Sequence, residues 1–274
     1  MSFERDPGGR KRPNPFRGSL ALANSAYSGF RGKRLVRLPS GEPAPALDAL
    51  VHDTFRATVL STGFSCVGAK AAIRGGGYRA GLYGVLGSAG AAAGLARDLF
   101  SFVQEQGELG GKFTTFVAGF AGPTVIDEAE FERLLWAQLQ RLHEEDRRHH
   151  HWAPAVSPDP DDARFAFSFA RRPFFVVGLH PASSRFARRF AWPTLVFNAH
   201  SQFDKLREEG RYARMQEVIR ARERELQGNL NPNLGDFGVL SEARQYSGRP
   251  AEEGWRCPFH AGDETPDDRE GGAG

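Results

Sequence analysis

The sequence predicts a single α+β domain in which a mixed or antiparallel sheet is packed by several helices. Strand-like and helix-like segments are mixed along the chain rather than separated into blocks. Two strand-like segments, 164–169 and 173–179, are joined by a tight polar turn, which is typical of an antiparallel hairpin. The 274 residues are 40% hydrophobic and include 22 phenylalanines, so the chain carries enough apolar material for one sizeable core.

Several segments have the apolar periodicity of helices. The longest is 127–146, where Asp127 is a suitable N-cap and Glu130 follows three residues later. In the first of these segments along the chain, 46–60, four apolar residues fall on one helical face: Leu47, Leu50, Val51 and Phe55. The helices are predicted over 46–60, 67–73, 94–106, 127–146, 200–208 and 211–227.

Other segments are short, apolar and rich in β-branched or aromatic residues, as expected of strands. They are 112–120, 164–169, 173–179 and 194–198. Residues 228–249 are mostly loop with one short helix, and a long irregular segment inside a domain is usually functional or disordered.

The two ends of the chain differ from its middle. Residues 1–45 are rich in Gly, Pro, Arg and Ser and are predicted as a mostly irregular basic arm. Such an arm could contact nucleic acid or anionic lipid, but a solvated, disordered arm is favoured. The tail 261–274 is acidic and is predicted to be disordered, so the folded domain spans 46–260.

Charge and cysteine content limit the class of protein. The net charge of +3 is too small to require a nucleic-acid partner. No apolar run approaches the ~20 residues of a membrane span, and the N-terminus lacks the apolar core of a secretory signal. Cys66 and Cys257 form no paired motif, so we expect a cytoplasmic protein without a disulfide framework.

Cys66 lies at the predicted start of a helix. Exposed backbone N–H groups and the helix dipole would lower a thiol pKa there. The alternative is a small buried thiol that only fills space.

Two histidines each follow a predicted strand. His180 is followed within nine residues by Arg185, Arg188 and Arg189, and such a segment can supply a metal ligand together with cations for carboxylates. The alternative is a packed histidine on a basic loop. His200 repeats the arrangement beside Asn198, although it could equally be a surface residue of a helix that Asn198 caps.

Ten ordered segments together resemble the YqcI/YcgG family over about residues 50–260. They are FSCVGAKAA, DLFSFV, FTTFVAGF, EFERLLWAQLQRLHEED, WAPAVSPDP, FSFARRPFFVVGLHPASSRFARRF, PTLVFNAHSQFDKLR, IRARERELQGNLNPNLGDFG, SEARQYSGR and WRCPF. One departure is Ser65, where the family pattern has proline before the cysteine.

The resemblance implies a haem-dependent monooxygenase that N-hydroxylates a guanidino group. Members with an assigned role act on free L-arginine, giving N-omega-hydroxy-L-arginine, or on related guanidino compounds in guanitoxin-type and D-cycloserine-type biosynthesis. It further implies a b-type haem, dioxygen or peroxide as oxidant, and an external electron donor. A homo-oligomer is compatible with this expectation.

The candidate site residues then take these roles. His180 is the first choice for the axial ligand, since ligand and propionate cations would share one segment, and His200 is the second. Cys66 and Cys257 are thiolate rivals, and a thiolate would favour O–O cleavage. Arg185, Arg188 and Arg189 are expected to bind the haem propionates. A guanidinium substrate needs a carboxylate facing its planar fork, for which Glu242 and Asp236 are the candidates.

Two other functions compete with the enzyme. A haem-binding sensor or carrier would bind haem without hydroxylating arginine. A small-molecule or nucleic-acid binding module would bind no haem and would bind polyanions with a steep salt dependence.

The absorption spectrum separates these three functions. We expect the protein, expressed with a haem precursor, to show a strong Soret band in its ferric, ferrous and ferrous–CO forms. The position of the CO band distinguishes thiolate from histidine ligation. A spectrum that stays featureless after addition of hemin would contradict the enzyme and favour the binding module.

Overall fold

One sheet organises the chain. The computed structural model describes residues 12–262, apart from 33, 111–112, 126, 234 and 236–237. Within this part the sheet has seven strands in the order β2-β1-β3-β4-β7-β6-β5. The strands are β1 Ser28–Arg31, β2 Arg34–Arg37, β3 Tyr78–Val85, β4 Thr115–Gly122, β5 Phe167–Phe169, β6 Arg172–Leu179 and β7 Thr194–Ala199.

The helices cover both faces of this sheet. They are α1 Ser19–Asn24, α2 Ala46–Leu60, α3 Val67–Gly75, α4 Ala89–Glu105, α5 Glu128–Asp146, α6 His200–Glu208, α7 Tyr212–Gln227 and α8 Ala243–Tyr246. The β3–β4 pair is parallel and the other described pairs are antiparallel. The prediction of an α+β domain is therefore confirmed, and of the two predicted kinds of sheet, mixed or antiparallel, the observed sheet is mixed.

Alternation along the central strands sends side chains to two different cores. In β6, Phe174 and Val176 enter the larger core, which α4 and α5 cover. Val177 and Leu179 enter a smaller core on the opposite face, which contains Val51, Phe55 and Val59 of α2. Successive residues of a strand point to opposite faces of the sheet, so one strand contributes alternate side chains to the two cores.

Most predicted elements are confirmed, with shifts of a few residues at their ends. Asp127 caps α5 by accepting a hydrogen bond from the Glu130 N–H (2.7 Å). The hairpin turn uses Ala170 and Arg171, both with positive φ. The apolar face proposed for α2 is partly wrong, because Leu47 and Leu50 are 47% and 55% exposed.

The N-terminal arm is not irregular over residues 19–37, which contradicts the prediction. This stretch forms α1, β1 and β2 and extends the sheet beyond β3. One buried and one partly exposed contact hold it: Asp98 of α4 accepts from the Ala26 N–H (2.6 Å), and Arg37 pairs with Asp48 of α2 (2.7 Å). The Gly-rich strand β3 was also missed, because glycine weakens a strand pattern.

The C-terminal segment packs against α5. Gln140 exchanges two hydrogen bonds with the backbone of His260, each 3.0 Å, and His143 bonds to the Ala261 carbonyl oxygen. Ordered packing therefore reaches Ala261, the first residue of the predicted tail, whereas residues 263–274 lie outside the described part. In the described part of the chain, no helix has the length and apolar content that crossing a membrane requires.

Gly178 tests the packing of β6 on α5. A Cβ there would lie 2.5 Å from the Phe131 ring and 2.9 Å from Leu135, so we expect Gly178→Ala to destabilise the fold by about 1–3 kcal/mol, as overpacking does. Gly84→Ala, in the open part of β3 with nothing within 4 Å, is the matched control and should change stability little. Urea unfolding measures both, and equal effects would contradict the tight packing.

Candidate functional site

A cavity of about 280 Å³ lies on the α2 face of the sheet. Its floor is the outward side of β6 and β7, where alternation places apolar side chains. Helices α2, α3, α6 and α7 and the segment around α8 form the walls. The apolar part of the lining includes Phe55, Val59, Phe64, Phe175, Val177, Leu179, Val196 and Phe203.

Helix α7 supplies one whole wall. Its cavity-lining residues recur at spacings of three and four, which places them on one helical face. They are Tyr212, Met215, Gln216, Ile219, Arg220 and Glu223. None of the residues of α7 is fully buried, because the helix spans the cavity instead of packing into a core. Sequence reasoning identified this helix but not its role, although the spacing was a usable signal.

Cys66 faces the cavity from the start of α3. It occupies the N-cap position, and its sulfur accepts from the Ala69 N–H at 3.4 Å. It is the one cysteine or histidine among the described lining residues. Burial raises the pKa of the Cys66 thiol, and the N–H groups of Ala69 and Gly68 oppose this shift. The expected lowering of the thiol pKa is therefore wrong, since loss of water outweighs the helix terminus.

Glu242 also lines the cavity, and His200 lies behind it. His200 Nε2 is 2.9 Å from Glu242 Oε2, and the two side chains are only 4% and 7% exposed. Burial raises the pKa of Glu242, whereas the hydrogen bond and charge of His200 and the charge of Arg207 lower it. His200 is thus a buried partner of a carboxylate and not a surface residue.

The three arginines predicted to bind the haem propionates occupy different positions. Arg188 lines the cavity and donates to the carbonyls of Gly178 (3.0 Å), Tyr246 (3.1 Å) and Gln245 (3.0 Å). Burial lowers the pKa of Arg188 to about 10. Its guanidinium therefore ties the end of β6 to α8.

The other two arginines lie outside the lining. Arg185 bonds to Asn229 and lies 3.5 Å from Glu223, while Arg189 donates to the Ser183 carbonyl (2.7 Å). The cavity instead receives Arg207 and Arg220, which sequence reasoning missed. Both lie on predicted helices, where charged residues are usually solvated.

His180 lies away from the cavity, on the side of the sheet that α5 covers. It is completely buried and stacks on Phe131, with 4.1 Å between ring centroids. Neither ring nitrogen has a hydrogen-bond partner within the described residues, and burial lowers the pKa of His180 to about 4.

Cys257 is equally remote. It is buried in the larger core near Phe259, and burial raises its pKa to about 12. Asp236, the other carboxylate predicted for the substrate, lies outside the described residues. Of the predicted site residues, the fold therefore places Cys66, Arg188 and Glu242 around one cavity, with His200 directly behind.

The fold and this cavity can now be compared with known proteins. The family model of the YqcI/YcgG family matches residues 55–260, so the chain belongs to that family. Two relatives come from Bacillus subtilis (strain 168), and both are named as uncharacterised proteins. No solved structure matches the chain.

The two relatives match over part of their length. YcgG is 29% identical over 177 residues, which cover 60% of this chain and 69% of YcgG. YqcI is 30% identical over 159 residues, which cover 54% of this chain and 62% of YqcI. The matched family region includes every cavity residue named above.

Thiol labelling tests the different positions of the two cysteines in the fold. In protein prepared without haem, we expect iodoacetamide to label Cys66, which is partly exposed, before the buried Cys257. Because burial raises the pKa of the Cys66 thiol, labelling should still accelerate as the pH passes 9. Peptide mapping at several pH values measures both rates. A Cys66 rate that levels off near neutral pH would contradict the raised pKa.

Proposed function

We propose that the chain is a haem-dependent monooxygenase that N-hydroxylates the guanidino group of free L-arginine or a related guanidino amino acid. The observation that carries the proposal is the cavity, which combines apolar walls, a thiol, arginines and carboxylates in one space. Membership of the YqcI/YcgG family supports it, because the resemblance implies this chemistry.

The residues around the cavity fit a b-type haem. Such a group needs apolar surroundings, an axial ligand and cations for its propionates. The strand floor supplies the first and Cys66 the second. We assign the anionic groups of haem and substrate to Arg207 and Arg220, which line the cavity from α6 and α7; Arg207 also pairs with Asp204 at 2.8 Å.

Cys66, and not His180, is the residue that would bind the haem iron in the proposed enzyme. His180 and Cys257 lie in the core on the other side of the sheet, and His200 directs Nε2 at Glu242. Cys66 lines the cavity, and the backbone N–H groups of α3 stabilise its thiolate against the effect of burial. A metal ion binds the deprotonated form, so coordination supplies the charge compensation that the free thiol lacks.

The acidic side chains of the cavity suit the guanidinium end of the substrate. Glu242 can accept from the planar fork of a guanidinium group, and Glu223 adds a second negative charge to the lining. Bound in the cavity, the haem supplies oxygen activation with dioxygen or peroxide and an external electron donor. The chain would position the guanidino nitrogen, and α7 forms one wall of the cavity.

Replacing Cys66 by Ser tests this assignment. We expect Cys66→Ser to remove the long-wavelength ferrous–CO band that is typical of a thiolate ligand. Hydroxylation of L-arginine should fall sharply, because a thiolate ligand favours O–O cleavage and a serine oxygen does not replace it. Product analysis by mass spectrometry measures turnover.

Cys257→Ser is the matched control, because it removes the other thiol from a site outside the cavity. It should leave the spectrum and turnover unchanged. If Cys66→Ser keeps the wild-type spectrum, Cys66 is not the ligand. Wild-type protein that binds haem but forms no product would instead be a sensor or carrier.

A further inference from the structure

His200 and Glu242 form a buried histidine–carboxylate pair that lies between the cavity and the protein interior. Glu242 contributes to the cavity lining and His200 does not. Their side chains are almost completely buried, and the atoms His200 Nε2 and Glu242 Oε2 are 2.9 Å apart. His200 therefore contacts the cavity only through the carboxylate.

A buried carboxylate needs compensation if it is to stay charged. The groups that face Glu242 are His200 and Arg207 from α6 and Tyr246 from α8. Tyr246 shares its single hydroxyl proton between the Glu242 carboxylate and the Phe174 carbonyl oxygen, which is 3.0 Å away. His200 supplies the short charge-assisted contact to Oε2.

We propose that His200 is a positioning residue for cation recognition, which holds Glu242 in its ionised form at the cavity wall. This inference rests on the guanidino substrate class of the proposed function. A carboxylate has two oxygens, so with Oε2 held by His200 it can still accept from a guanidinium ligand. His200 does not itself touch the substrate.

The proposal has a definite pH signature. A guanidinium cation binds the ionised carboxylate, so affinity falls as the pH falls through the pKa of Glu242. Burial raises that pKa and the contact with His200 lowers it. Removing His200 should therefore shift the loss of binding to higher pH.

The experiment measures L-arginine binding to the full chain by calorimetry between pH 6 and 9. L-Citrulline, which has nearly the same shape but an uncharged side chain, is the control ligand. We expect His200→Phe to weaken L-arginine binding by about tenfold at pH 7, as expected for a lost charge-assisted hydrogen bond. The difference in L-arginine affinity between wild type and His200→Phe should narrow as the pH rises. The two proteins should bind L-citrulline equally well.

Three further variants complete the test. His200→Gln retains an N–H donor and should restore part of the affinity, whereas Glu242→Gln should bind weakly with a flat pH profile. His150→Phe removes the histidine of a comparable pair, 2.7 Å from Asp146 and outside the cavity lining, and should behave as wild type. If His200→Phe does not fold, the other two variants at His200 and Glu242 still decide the question.

The outcomes separate this inference from the proposed enzyme. An affinity ratio between wild type and His200→Phe that stays constant with pH, or an unchanged pH profile in Glu242→Gln, would overturn the role of His200. Haem content is measured in the same samples by absorption. Wild-type protein that binds haem and L-arginine, with a pH profile that His200→Phe does not shift, refutes the inference alone. Haem without L-arginine binding refutes the proposed substrate as well, whereas the predicted pH shift without haem refutes only the haem enzyme.

Discussion

The antiparallel pairing of β6 with β7 fixes the two faces of the sheet, and the site depends on it. Their register places Val177 opposite Val196 on the cavity side and Val176 opposite Phe197 on the core side. A shift by one residue would exchange these two sets. The core around α4 and α5 holds that register, because its phenylalanines fit only one face.

The two faces serve different purposes. The core face is closely packed, and even His180 is enclosed there against Phe131. The opposite face is covered by helices that leave space between them. Helix α7 contributes an amphipathic wall without buried residues, and Arg188 ties the end of β6 to α8 through three backbone carbonyls. The strands that form the cavity floor are therefore backed by a closely packed core, whereas the helices of the cavity walls are packed less tightly.

Burial determines the chemistry of the cavity. It raises the pKa of both Cys66 and Glu242, so each group needs a partner in order to carry charge. For Glu242 that partner is His200, and for Cys66 we assign a metal ion. This explains why a thiol at a helix N-terminus, which normally suggests an activated thiolate, is not activated by the protein alone.

The sequence by itself predicted the helices from α2 onwards and four of the strands, because periodicity and turn residues are local properties, and its ordered motifs carried the resemblance to the family. Helix α2 was predicted with its observed ends. The sequence could not place β1 and β2, which depend on distant partners such as Asp98 and Asp48. Only the tertiary structure showed that Cys66 lines the cavity and that His180 does not, because the direction of a side chain after a strand depends on register. It also brought Glu242 to His200 across 42 positions of sequence, a contact that follows from packing and that no local pattern encodes.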